Sequence, residues 1–417
     1  MTTEWKTQSL EDACQFLNGL WKGEKPPFVK VGVIRNTNFT KEGTLDDSDI
    51  AYLDVEARKL EKRRLKFGDI ILEKSGGGPK QPVGRVALFD KINGDFSFSN
   101  FTAALRVVNP DELDFRFLHK FLHWTYVSGF TEGMQSNSTG IRNLDGDAYK
   151  AIEISFPRLP EQHRIVSILD EAFAGIATAK ANAEKNLQNA REIFESQLLN
   201  LFSQRGERWI DTTIGEKIRF IDYRGKTPQK TQSGVRLITA KNVKMGYLQE
   251  APMEFIAASN YKTWMTRGIP RKGDVIFTTE APLANVAQLD TAERVAFAQR
   301  IIVMQTEATE LDSSFLKYLL MSQPVQQRIR SKGTGATVQG IKASLLKTIA
   351  ISYPQSLTEQ RTLVAELEEL SRETQRLAAI YERKLSALDA LKKSLLHRAF
   401  AGELTASSTT KRVEAVA

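Results

Sequence analysis

The chain has 417 residues, with 58 Lys and Arg against 50 Asp and Glu, for a formal charge of +8. At about 150 residues per domain this length predicts two to three domains, and the basic excess favours an anionic partner, nucleic acid first among them. One cysteine (Cys14) excludes an intramolecular disulfide and any Cys-cluster metal site, and four histidines leave little for metal chemistry; with no apolar run of about 18 residues and no basic-then-apolar leader, the reading is a soluble, cytoplasmic protein.

Residues 1–157 alternate short β-rich runs with turns. VKVGVIRN (Val29 to Asn36) reads as a strand, and DIILEKSGG (Asp69 to Gly77) follows a Gly68-Asp69 turn. Between them, acids from Glu42 to Glu56 precede a basic block that includes Lys59, Arg63 and Arg64. A Gly-bearing loop, SNSTGIRN (Ser136 to Asn143), precedes a final strand, ISFP (Ile154 to Pro157). Residues 158–208 then carry apolar side chains at three- and four-residue spacing, from Ile165, Leu169 and Phe173 to Phe194, Leu198 and Leu201, which predicts a long helix.

Residues 209–354 repeat the grammar of residues 1–157. Trp5 matches Trp209 at a separation of 204, VKVGVIRN matches VRLITAKN (Val235 to Asn242) at 206, and Gly68-Asp69 matches Gly273-Asp274 at 205. Ser99-Asn100 matches Ala298-Gln299 at 199, and Ile154-Ser155-Phe156-Pro157 matches Ile351-Ser352-Tyr353-Pro354 at 197. Collinear matches with a drifting offset are what two copies with loop insertions and deletions show. Residues 355–404 supply a second apolar stripe, from Leu363 and Leu367 through Leu377, Leu388 and Leu391 to Leu395, and residues 405–417 form a small, polar tail predicted to be disordered. Two stripes of similar length predict helices that pair with each other as a coiled coil, each of order 60 Å for about 40 residues. The fold class is therefore α+β: two globular mixed α/β domains in tandem repeat, separated by two long antiparallel coiled-coil helices with pseudo-twofold symmetry.

Charge is uneven along this plan. Residues 209–354 hold 20 basic and 12 acidic side chains, whereas residues 1–157 hold 21 and 22, and both helical segments are neutral. No catalytic constellation emerges. Pro26-Pro27-Phe28 follows a lysine, which cannot accept a hydrogen bond from a target amine; Gly76 to Lys80 lacks the spacing and ending of a phosphate loop; His119 and His123 have helical metal-pair spacing but no third ligand. Candidate DNA contacts are Arg35, Asn36 and Asn38, matched by Lys241, Asn242 and Lys244, because Arg and Asn suit bidentate contacts with guanine and adenine edges. The basic block (Lys59, Arg63, Arg64), the two Gly-bearing loops (Arg142 and Asn143; Lys332, Thr334, Gln339 and Lys342) and the trio Tyr223, Arg224 and Lys226 are candidates for phosphate contact.

The duplicated ISFPRLPEQHRIVSIL (Ile154 to Leu169) and ISYPQSLTEQRTLVAEL (Ile351 to Leu367), the two Gly-Asp turns and LLHRAFAGEL (Leu395 to Leu404) resemble the specificity subunit of type I restriction-modification systems. The resemblance covers nearly the whole chain. It implies target-recognition domains at 1–157 and 209–354, conserved spacer helices at 158–208 and 355–404, and a non-catalytic role in recognising a bipartite, interrupted double-stranded DNA target. It also implies partners: two modification subunits that methylate adenine with S-adenosylmethionine, and restriction subunits that use ATP and Mg2+, with no cofactor bound by this chain. The alternatives are the recognition subunit of another, type II-like restriction or methylation system, and a coiled-coil scaffold that does not bind DNA.

Overall fold

The protein is described by a computed structural model covering residues 5–20, 23–78, 81–138, 140–204, 206–223, 227–335 and 338–405. The predicted tail therefore lies, from residue 406 onward, outside the described residues. The chain divides into two compact units, Met1–Ala183 with Arg383–Ala417, and Glu184–Glu382.

In the first unit the strands are β1 (Lys6–Ser9), β2 (Cys14–Asn18), β3 (Phe28–Ile34), β4 (Ala51–Glu56), β5 (Ile70–Glu73), β6 (Ser75–Gly77), β7 (Val86–Leu88), β8 (Phe96–Phe98), β9 (Thr102–Val107), β10 (Gln135–Ser138), β11 (Ile141–Leu144) and β12 (Glu153–Phe156). They form an antiparallel sheet of order β2-β9-β5-β7, a mixed sheet β4-β3-β8 in which β3 and β8 run parallel, a β10-β11-β6 sheet and a β1-β12 pair. The second unit has β13 (Trp209–Thr213), β14 (Ile218–Asp222), β15 (Val235–Ile238), β16 (Glu254–Ile256), β17 (Val275–Thr278), β18 (Val286–Gln288), β19 (Val295–Phe297), β20 (Ile301–Thr306) and β21 (Ala350–Pro354). Its sheets, β14-β20-β17-β18, β16-β15-β19 and β13-β21, reproduce three of the first unit's four sheets strand for strand; among the described residues the β10-β11-β6 sheet has no counterpart. The tandem repeat is thus a repeat of topology as well as of sequence.

The duplicated motifs are explained by what they hold. Each Gly-Asp turn has its glycine at positive φ, +90° at Gly68 and +95° at Gly273, a conformation that a Cβ disfavours. The following carboxylate closes the turn by accepting from the backbone N–H three residues earlier, at Lys66 and Arg271, both at 2.7 Å. In each Glu-Gln pair the glutamine is fully buried. Gln162 Oε1 accepts from the Asp114 N–H at 2.8 Å, while its Nε2 donates to the carbonyls of Glu112 and Pro157, both at 2.7 Å. Gln360 does the same with Asp312 N–H (2.8 Å), Glu310 (3.0 Å) and Pro354 (2.8 Å). Asp114 and Asp312 are themselves the N-caps of helices Phe115–Val127 and Ser313–Met321. One side chain thus ties the long helix, the strand before it and the capped helix together.

The long helices run Leu159–Ser203 and Leu357–Phe400. In the first unit, Ile165 and Leu169 of one and Leu396 and Ala399 of the other enter the same core as Leu10, Phe117 and Leu122. Phe400 packs its ring 5.4 Å from both Phe117 and Phe121, which accounts for the LLHRAFAGEL motif. In the second unit, Leu198 and Phe202 join Val364 and Leu367 around Phe315 and Leu316. Inside each unit the helix segments run antiparallel and are bridged: in the first unit Lys180 to Asp389 at 2.7 Å with Phe173 under Lys392, and in the second Arg191 to Glu382 at 3.5 Å. The expected continuous leucine seam is only partly realised. Ala183 and Ala190 are buried, whereas Leu377 and Leu391 are exposed.

Candidate nucleic-acid interface

The loop after β3 and its equivalent after β15 are organised by one buried asparagine each, and these define the true register of the repeat. Ile34 accepts from the Ser99 N–H and Ile238 from the Ala298 N–H, both at 2.9 Å, so Ile34 corresponds to Ile238 at an offset of 204. The 206 offset of VKVGVIRN with VRLITAKN is therefore a slip of two residues, and the counterpart of Asn242 is Asn38, not Asn36. Asn38 Oδ1 accepts from the Arg35 N–H at 2.9 Å and its Nδ2 donates to Asp49 O at 3.0 Å. Asn242 Oδ1 accepts from Thr239 N–H and Oγ1 at 3.0 and 2.9 Å, and its Nδ2 faces the carbonyls of Gln249, Glu250 and Pro252 at 3.0 to 3.2 Å. Both are 1% exposed. Their amides organise the loop backbone, as buried polar groups require.

Other first-unit candidates are similarly engaged. Arg35 donates through Nη2 to Asp49 O at 2.7 Å and Oδ2 at 2.9 Å. Asn36 Nδ2 reaches Glu73 Oε1 at 3.2 Å, and Glu73 is bidentate with Arg85 at 2.7 and 2.9 Å. In the basic block, Arg63 Nε donates to Gly19 O at 3.1 Å, Arg64 pairs with Asp95, and Lys59 is half-buried beside them in sequence. Of SNSTGIRN, Ser136 to Ser138 in β10 pair with Ile141 to Asn143 in β11, and β11 pairs with β6, where Asn143 accepts from Ser75 Oγ at 2.5 Å. Arg142 donates to Gln135 Oε1 at 3.4 Å.

In the second unit, Tyr223 is buried, stacks on Trp264 and donates to Gly268 O at 2.5 Å; Arg224 and Lys226 lie outside the described residues. Lys241 is exposed and Lys244 half-buried. Lys332 donates to Thr348 Oγ1 at 2.7 Å. Thr334 pairs with Gly340, and Gln339 and Lys342 are exposed beside Gly340 in sequence. Lys241 lines a cleft of about 350 Å3, and Thr334 with Lys342 a neighbouring one of about 270 Å3; Gln299 and Arg300 belong to both. The corresponding first-unit cleft, about 360 Å3, brings Arg35 and Asn36 together with Asn100 and Phe101. The residues at the centre of each cleft, Asn100-Phe101 and Gln299-Arg300, were not among the sequence candidates. The available signal was an unlike pair (Asn-Phe against Gln-Arg) following a matched strand, in FSNF against FAQR.

The histidine pair is structural. His119 donates from Nε2 to Gly43 O at 2.8 Å, and burial lowers the His119 pKa to about 4 and the His123 pKa to about 3. Among the described residues no group of three His, Cys, Asp or Glu side chains could hold a metal ion, and no helix is long and apolar enough to cross a membrane.

Comparison with known proteins places this architecture. Residues 2–188 match the family model described as the type I restriction modification DNA specificity domain. The chain is 22% identical to the type I restriction enzyme EcoKI specificity subunit of Escherichia coli K12, over 96% of this chain and 86% of that protein. It is 24% identical to the StySPI specificity subunit of Salmonella potsdam, over 90% and 82%. Among solved structures, a chain from a type I restriction-modification system, described for its complex assembly and conformational transition, superposes with a TM-score of 0.77 at 17% identity over 96% of this chain and 98% of that one. The HsdS subunit from Thermoanaerobacter tengcongensis superposes at 0.60, with 16% identity over 97% and 98%. Duplicated topology and paired glutamine anchors thus go together with a likeness, over nearly the whole chain, to the specificity subunits of type I restriction-modification systems.

Proposed function

We propose that this chain is the DNA-recognition subunit of a type I restriction-modification complex, in which each globular domain reads one half of a bipartite, interrupted double-stranded target. The observation that carries this reading is the pair of topologically equivalent clefts with unlike linings. Two different readers in one chain suit an asymmetric, interrupted site, as symmetric dimers suit palindromes. The basic excess of residues 209–354 supports contact with a polyanion on that side.

In this reading the chain supplies the address and its partners the chemistry. Two modification subunits methylate adenine with S-adenosylmethionine, and restriction subunits use ATP and Mg2+ to translocate and cleave; the chain itself binds none of these cofactors. The candidate residues divide by role. Asn38 and Asn242 shape the loops, Lys241, Lys342 and the basic block Lys59, Arg63 and Arg64 contact phosphates, and the cleft residues face the bases. The test is a domain exchange in cells: residues 1–157 are replaced by those of another family member and methylated adenines are mapped. One half of the recognised motif changes and the other stays. A change in both halves, or in neither, would overturn independent readers.

A further inference from the structure

The two-residue turns Asn100-Phe101 and Gln299-Arg300 occupy one and the same place in the two domains. The Lys74 N–H donates to Phe101 O at 3.0 Å and the Thr279 N–H to Arg300 O at 2.9 Å. In both domains the turn joins the parallel partner of the central mixed-sheet strand, β8 or β19, to a strand of the four-stranded sheet, β9 or β20. The backbone frame is shared, but the chemistry is not. The first cleft sets Leu20, Val33, Leu53 and Phe101 beside Arg35, Asn36 and Asn100, and Phe101 is 46% exposed. In the second, Lys241, Gln299 and Arg300 stand at the wall with Lys230, which pairs with Glu254 of the same wall at 2.8 Å.

Arg300 carries two marks of a positioned side chain. Its φ is +75°, a region that residues with a Cβ enter rarely and that clusters at functional sites. Its Nε is 2.7 Å from Glu280 Oε1, with both side chains nearly half exposed, so one edge of the guanidinium is buttressed while the group stays accessible. Glu280 is held in turn, since its backbone bridges to Gly340, two residues before Lys342. A buttressed guanidinium that shares its clefts with Lys241 and Lys342 matches a guanine edge, whose O6 and N7 take a bidentate donor, with neighbouring phosphates for the lysines.

We propose that this turn is the specificity-determining element of each domain, and that Arg300, oriented by Glu280, reads a guanine in the half-site recognised by residues 209–354. The proposal rests on the DNA-recognition reading above. Phe101 takes the equivalent position in the first domain, where an exposed aromatic suits the methyl group of thymine.

The experiment maps adenine methylation in cells that carry the modification subunits together with wild-type chain, Arg300→Ala, Arg300→Lys or Phe101→Ala, with co-purification of the subunits as the check on folding. Arg300→Ala is expected to relax one guanine position of one half-site by roughly ten- to hundredfold, with the other half unchanged. Arg300→Lys keeps the charge but loses the planar fork, and is expected to relax the same position while the complex still co-purifies. Phe101→Ala is expected to alter only the opposite half. Unchanged stringency in Arg300→Lys, or a loss in the Arg300 variants that is uniform over all sites as for a phosphate contact, overturns the proposal and leaves the recognition reading standing. Absence of any chain-dependent bipartite motif with the wild type would instead remove the reading on which it rests.

Discussion

Replacing Gln162 or Gln360 by alanine tests the account of the duplicated Glu-Gln motif. Each amide makes three hydrogen bonds of 2.7 to 3.0 Å in a fully buried position. At about 1 kcal/mol net per bond the loss is about 3 kcal/mol, and it rises toward 5 kcal/mol where the orphaned Asp114 or Asp312 N–H finds no replacement. Gln→Met at either site keeps most of the volume but none of the amide, and is expected to recover less than half of the loss. The assay is urea unfolding of the full-length chain followed by far-UV circular dichroism. Because the glutamines belong to different units, each variant shifts a different part of the transition. Alanine variants within about 0.5 kcal/mol of wild type, or methionine variants as stable as wild type, would refute the hydrogen-bond explanation.

Three further outcomes follow from the same structure. Asn38→Ala and Asn242→Ala each cost about 2 to 3 kcal/mol by leaving buried backbone groups unpaired, whereas Asn36→Ala, with one 3.2 Å bond to Glu73, costs about 1 kcal/mol or less; the reverse ranking in urea melts would restore the 206 register. The buried histidines make stability pH-dependent: between the unfolded value near 6.5 and the folded values of about 4 for His119 and about 3 for His123, only the unfolded chain is protonated. Their contribution is therefore full above about pH 6.5 and is lost as pH falls toward the folded values, by roughly 3 kcal/mol for His119 alone; a urea midpoint that does not fall between pH 7 and pH 5 would contradict this. Cys14 is buried and its thiol pKa is pushed up to about 12, so it should react with a thiol reagent at pH 8 only after unfolding; rapid labelling of the native chain would show the site to be open.

What could be read from the sequence was whatever repeats. The Gly-Asp turns, the Glu-Gln pairs and the ISFP and ISYP strands are held by local, conformation-specific needs, a positive φ at Gly68 and Gly273 and a buried amide at Gln162 and Gln360, and such needs keep residue types fixed in both copies. The loop after β3 was misread by two residues because Asn36 and Asn38 have the same type, and only the hydrogen bonds distinguish the asparagine that is buried from its neighbour. Periodicity located the long helices but overstated the leucine seam, since spacing alone does not tell Leu377, which is exposed, from Leu367, which is buried. Phe101 and Arg300 escaped attention for the opposite reason. A position that differs between copies carries no repeat signal, and its place at a cleft is created by chain segments distant from it in sequence, such as Leu20, Val33 to Asn36 and Ala51 to Leu53 around Phe101.

The central claim is that this chain supplies the sequence specificity of methylation through two unlike readers. It is tested most directly by mapping modified adenines across the genome in otherwise identical cells that carry or lack the chain, with complementation. One interrupted, bipartite motif should lose methylation when the chain is removed and regain it when the chain is restored. Methylation that is unchanged without the chain, or a dependent motif that is continuous and palindromic, would contradict the claim.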